Sequence, residues 1–177
     1  AVDNGAAPGS YWLTGSQAYR LMELAQESLA GRTAILHMSA LSQSELCGAM
    51  EVSPFSLELD ELQKRKAVLS PATPKEIYQR IWDGALPGHR SGKHKDRDVF
   101  YSSYIQTYID RDVTTDIPGV DKVMFADFIR AAACRSGQML NLHDIAGDVG
   151  VSDDTAKRWM KELEKSGIVF FLHPYSN

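Results

Sequence analysis

The chain has 177 residues, 44% hydrophobic and 24% charged, with a formal net charge of −4. That length allows one domain or two small ones, the composition is that of a globular protein, and the acidic balance excludes a strongly basic nucleic-acid binder while leaving room for a local cationic patch. No apolar run approaches the ~20 residues of a membrane span, and Ala1–Ser10 lacks the basic start and apolar centre of a secretory signal, so a cytoplasmic protein with no membrane partner is expected.

Tyr11–Leu13 reads as a short buried strand running into a small polar tip, Thr14-Gly15-Ser16. Gln17–Leu29 has apolar residues at helical spacing (Ala18, Leu21, Met22, Ala25, Leu29), Gly31 stops it, and Thr33–Met38 is a second apolar strand. Two strands joined by such a helix suit a parallel unit, but two strands alone make a poor sheet. Both ends read as cut: the chain opens in a turn-like Asp3-Asn4-Gly5 and stops just after an apolar strand.

Helices are expected next at Leu41–Gly48, Pro54–Leu69 and Pro74–Ala85. The last opens with a capping box, Thr73-Pro74-Lys75-Glu76, and has proline at its first position. Leu86–Asp96 reads as a loop, and His89–Arg97, with Arg90, Lys93, Lys95 and Arg97 diluted by Asp96, is the one dense basic stretch, read as solvated with a phosphate contact as the alternative. Asp98–Val113 is a helix with an aromatic face of Phe100, Tyr101, Tyr104, Ile105, Tyr108 and Ile109, better suited to a core than to stacking on a cofactor. Pro118–Arg135 follows, with Val120, Val123, Met124, Phe128, Ala131 and Ala132 facing inward and Gly137 closing it.

Asn141–Leu172 has the rhythm of a winged helix. Asn141 caps a short helix with Leu142, Ile145 and Ala146, then Gly150-Val151-Ser152 turns the chain, and Ser152 caps a second helix. Ala156, Trp159, Met160 and Leu163 form the core face of that second helix. Gly167 ends it, and Ile168–Leu172 is the strand leading to the wing. Opposite the core face runs a stripe of Asp154, Lys157, Arg158, Lys161 and Lys165, spaced to meet phosphates and base edges in a major groove. Against DNA stand Asp153 and Asp154 at the helix start, explained also by the helix dipole, and an excess of acids over bases between Val113 and Asn177. Nucleic-acid contact and a protein partner both stay open.

Catalytic signatures are sparse. No Gly-x-x-x-x-Gly-Lys-Ser/Thr run is present to cradle phosphates, nor an apolar strand ending in Asp-Glu to hold Mg²⁺, so this chain alone is not expected to hydrolyse ATP. The five histidines lack metal-ligand spacing and no metal site is expected. No Gly-x-Ser-x-Gly turn supports a hydrolase. Cys47 and Cys134 lie far apart in apolar helical contexts and read as buried free thiols in a reducing compartment.

Several runs together resemble a group of prokaryotic AAA+ ATPases with a C-terminal domain of unknown function. They are Trp-Leu-Thr-Gly-Ser-Gln (12–17), Glu-Ser-Leu-Ala-Gly-Arg (27–32), Leu-Ser-Gln-Ser-Glu (41–45) and Tyr104–Val113. Ser136-Gly137-Gln138, Asn141–Gly150, Thr155-Ala156-Lys157-Arg158 and Pro174-Tyr175 continue the resemblance nearly to the end of the chain. It implies a mostly α chain with the remnant of a parallel α/β core at 1–50, a helical lid at 51–116 and a winged helix at 117–177. ATP and Mg²⁺ would be bound by the full-length parent, with its phosphate loop upstream of Ala1, and no cofactor is expected for this fragment. The resemblance makes Ser16 the sensor at a strand tip shared with Thr14 and Gly15, where a hydroxyl can report the γ-phosphate, and lets Arg32 contact nucleotide or pair with a carboxylate. Arg111 of Asp-Arg-Asp is expected in a buried ion-pair network. Partners implied are a second copy of the chain, and DNA or a protein bound through the winged helix; a non-enzymatic module is the alternative to the ATPase reading.

Overall fold

A computed structural model describes residues 7, 9–12, 14–15, 34–36, 38–48, 56–68, 71–93 and 96–174. By its contacts the chain divides into two units, His37–Tyr104 and Ala1–Leu36 together with Ile105–Asn177. The described residues are mostly α-helical, and among them no strand forms.

In the first unit, α1 (Gln43–Leu46) and α3 (Pro74–Asp83) start for the same local reason. The Ser42 hydroxyl accepts from the Glu45 amide while the Glu45 carboxylate accepts from the Ser42 amide, and Thr73 and Glu76 repeat the exchange. Each box satisfies amides that the first helical turn leaves unpaired. Between them lies α2 (Leu59–Val68), shorter than the expected Pro54–Leu69, of which 54–55 and 69 lie outside the described residues. Arg80 on α3 donates to the Gln43 side chain, and the Leu41 amide donates to the Ala85 carbonyl.

The loop expected at Leu86–Asp96 is partly a helix, α4 (Pro87–Arg90). Pro87 presets the first turn, and Leu86, at the N-cap, accepts from both His89 and Arg90 amides. Arg90 pairs with Asp83 at 3.3 Å. Arg97, at the start of α5 (Arg97–Tyr108), stacks its guanidinium 3.9 Å from the Trp82 ring centroid and donates to the Trp82 carbonyl. Two cations of the basic stretch therefore hold helices together and are not offered to a phosphate. No described residue of this unit is buried, and Ile77, Tyr78, Ile81 and Trp82 along α3 are exposed.

The core lies in the second unit. Tyr108 ends α5 as a buried residue, and the helix passes into a π-turn, Ile109–Val113, then α6 (Thr114–Asp116). The Thr114 and Thr115 hydroxyls donate to the carbonyls of Asp110 and Arg111 four residues back, at 2.7 Å each. Such back-bonding competes with the backbone ladder and accompanies the wider turn, which places Ile109 and Val113 together in the core. Arg111 does pair with Asp112, at 2.8 Å, but is 58% exposed. The expected burial is corrected for the arginine itself, while the Asp112 side chain is 15% exposed and the π-turn directs Ile109 and Val113 inward.

α7 (Lys122–Ala133) starts later than the expected Pro118, because Asp121 caps it by accepting from the amides of Val123 and Met124. Its buried stripe is Phe125 and Phe128 with Ile129 and Ala132 packed alongside. Val123, expected inside, is 71% exposed, lying two residues and about 200° around the helix from Phe125. α8 (Leu142–Val149) and α9 (Asp153–Lys165) complete the core. Trp159 meets Phe125 and Phe128 edge-on, at centroid distances of 5.1 and 5.4 Å.

The expected strands are corrected. Tyr11 and Trp12 are exposed and non-helical coil, as are Ala34–Leu36, and the Trp12 indole donates to the Gly9 carbonyl. Ile168–Leu172 is unpaired coil in which Ile168, Val169 and Phe171 pack on the core while Phe170 and Leu172 face out. A strand exists only through its ladder partner, and apolar alternation alone supplies none. Helix Gln17–Leu29 lies outside the described residues. Cys47 and Cys134 are free but exposed: both fall at helix C-caps, where the chain leaves the apolar face.

Candidate interaction face

The face is built by two helices and a three-residue turn. Asn141 caps α8 through its side-chain oxygen, which accepts from the amides of His143 and Asp144. Gly150 ends it in the left-handed conformation, φ 79° and ψ 32°, where a side chain is disfavoured. The Ser152 hydroxyl then accepts from the Thr155 amide and opens α9. His143 Nδ1 lies 3.1 Å from both carboxylate oxygens of Asp153, tying the two helix starts together.

Ala156, Trp159, Met160 and Leu163 are all buried, as their spacing predicts. That orientation puts Asp154, Lys157, Arg158 and Lys161 on the opposite, exposed side of α9, on one face. Among the described residues, Lys157, Arg158 and Lys161 make no ion pair or hydrogen bond. Their charges are therefore available to an anionic surface, next to the acidic end formed by Asp153 and Asp154.

Lys165, last in the stripe, is differently employed. Its Nζ lies 2.9 Å from Asp116 and 3.7 Å from Glu162. Glu162 is held above the usual carboxylate range, first by burial and then by a hydrogen bond with Asp116. Beside it the Tyr108 hydroxyl and Ser166 Oγ are 2.8 Å apart, and burial pushes the Tyr108 phenol up to about 12. Sequence patterns do not reveal this cluster, since its partners stand 49 and 58 positions apart and no local signal links them.

Thr14 and Gly15 are exposed coil, and Ser16 and Arg32 lie outside the described residues. Among the described residues no group of three His, Cys, Asp or Glu side chains could hold a metal ion, and no helix is long and apolar enough to cross a membrane.

An uncharacterized protein of Mycobacterium bovis and one of Mycobacterium tuberculosis are each 24% identical to the chain over 179 residues, covering 98% of it. The chain spans only 34% of the length of these curated relatives. No solved structure matches it. The family model described as a domain of unknown function, DUF8612, matches residues 74–177, which include all of α3 to α9, and the chain belongs to that family.

Proposed function

We propose that the chain is the C-terminal part of a prokaryotic AAA+ ATPase, and that its last helices form a winged-helix module whose α9 face meets duplex DNA. The observation that carries the output role is the row of Lys157, Arg158 and Lys161, exposed and without partners among the described residues, on a helix whose opposite side is fixed in the core. A helix so held presents cations at constant geometry to phosphates and base edges. The ATPase role rests on the motif resemblance. It is supported by relatives nearly three times as long as the chain, which have room for a phosphate loop and its sheet.

In that reading ATP and Mg²⁺ belong to the full-length parent. Ser16 would stand at a strand tip with Thr14 and Gly15 to sense the γ-phosphate, with Arg32 near the nucleotide. Hydrolysis there would move the lid and the winged helix against the core and so switch the α9 face.

The test is fluorescence anisotropy of a labelled duplex across a salt series. Lys157→Ala/Arg158→Ala/Lys161→Ala should abolish most binding, and the slope of log affinity against log salt should shrink by roughly 0.9 for each phosphate no longer neutralised. Equal binding by the variant, or no salt-sensitive binding by the native chain, removes DNA as the partner. The acidic start of α9, Asp153 and Asp154, favours a protein partner of mixed charge as the second reading, because a uniformly anionic duplex is repelled there. The ATPase part is tested separately in the full-length parent: Ser16→Ala should lower ATP turnover, and unchanged turnover sinks the sensor assignment.

A further inference from the structure

The unit His37–Tyr104, without a buried residue among those described, carries two exposed apolar surfaces of opposite charge. One is the face of α3. Tyr78, Ile81 and Trp82, 61–72% exposed, line a shallow hollow with Lys75, Gln79 and Arg97. Its shape is held in advance: the Thr73–Glu76 box fixes the first turn, Gly84 closes the last, and the Arg97 guanidinium stacks on Trp82. Lys75 stands exposed in the first turn, where the helix dipole opposes a cation, and among the described residues its ammonium has no partner. The other surface is the start of α2. Leu57, Leu59 and Leu62 are exposed there, interleaved with Glu58 and Asp60, whose carboxylates also have no partner among the described residues. Within the chain α2 and α3 do not pack along each other.

We propose that these surfaces are the two halves of one interface between two copies of the chain. The Leu57–Leu62 edge of each copy covers the α3 hollow of the other, and Glu58 and Asp60 face Lys75. Such a contact is isologous: each copy gives the same edge and receives on the same hollow, so the assembly closes as a dimer. Charge complementarity favours a second copy as the occupant. Three leucines with two unpaired anions match three apolar side chains with an unpaired cation, and both surfaces lie on one unit. An unrelated partner has to cover the two surfaces separately, whereas a second copy covers all four at once. Size agrees as well, because covering the six apolar side chains in both copies removes on the order of 1,000–1,500 Å² from water, the lower range of a specific interface.

Sedimentation velocity of the whole chain, from about 5 to 300 μM, should show a reversible monomer–dimer equilibrium with a dissociation constant of about 10–100 μM, which a contact of this size sustains. A monomer at every concentration, or an assembly larger than a dimer, overturns the proposal. Lys75→Glu sets like charges opposite Glu58 and Asp60, and Glu58→Lys/Asp60→Lys sets cations opposite Lys75. Each variant alone should dimerise at least roughly tenfold more weakly. Mixed one to one, the two should associate about as tightly as the native chain, because both contacts of the mixed pair again join opposite charges. That recovery also shows both variants to be folded. Native affinity in either variant alone, or no recovery between variants with native urea midpoints, overturns the proposal. If a midpoint falls, Leu59→Ala decides: it keeps every charge and both ends of α3, and should weaken the dimer roughly tenfold by shrinking the apolar contact. Native affinity in this variant sinks the interface.

Discussion

Gly84 shows how one missing carbon shapes a helix end. It closes α3 at φ 70° and ψ −173°, a region open essentially to glycine alone. A Cβ there would overlap the Tyr101 hydroxyl, which donates to the Asp83 carbonyl at 3.0 Å. Gly84→Ala should therefore destabilise the chain by roughly 1–3 kcal/mol, read as a fall in the urea midpoint. Tyr101→Phe in the same chain should recover the part due to the clash and leave the part due to φ. A double variant no more stable than Gly84→Ala would place the whole cost in the backbone. Arg97 makes the same point about charge: stacked on Trp82 and bonded to its carbonyl, it serves as packing material. A sequence run of cations cannot reveal that use.

At the scale of elements, helix starts are chemical events confined to four residues. Asn141→Ala and Ser152→Ala should each cost about 1 kcal/mol by orphaning amides of α8 and α9, measured as urea midpoints. Because α9 carries much of the core, Ser152→Ala should also expose Trp159 at lower denaturant. An unchanged midpoint for either variant would mean that water replaces the cap without loss. This locality explains which features are legible. Asn141, Gly150, Ser152 and the Thr73–Glu76 box announce themselves in neighbouring residues, and so does the inward row Ala156, Trp159, Met160 and Leu163. Tyr11–Leu13, Thr33–Met38 and Ile168–Leu172 suggest strands only as apolar runs, yet a strand is defined by a distant partner, and the described parts of these runs form none. The start of α7 is ambiguous in sequence because Asp121 competes with Pro118 as a helix opener and wins by accepting two amides. The cationic face of α9 follows from its core face by elimination. The Asp116–Glu162–Lys165 cluster cannot follow, since nothing near Glu162 in the chain foretells α6.

For the whole molecule, every buried hydrophobic among the described residues falls between Tyr108 and Leu163. Heat-capacity change on unfolding tracks the apolar surface exposed. A chain of this length with an even core would give about 2.1–2.7 kcal/mol/K, at ~12–15 cal/mol/K per residue. In calorimetry the transition that exposes this core should carry at least about 1 kcal/mol/K, the value for the roughly 70 residues that follow Ile105. A single transition with the full increment would show that His37–Tyr104 shares one cooperative core with the rest.

The three indoles of the chain make this uneven burial visible to light. Trp159 is enclosed, 4% exposed and flanked by two phenylalanines, while Trp12 and Trp82 are 77% and 61% exposed. Blue-edge emission therefore reports the Tyr108–Leu163 core, and the fraction quenched by iodide reports the two exposed indoles. Collected on one sample without labels, the two signals separate a ligand that settles on the α3 surface beside Trp82 from one that perturbs α9.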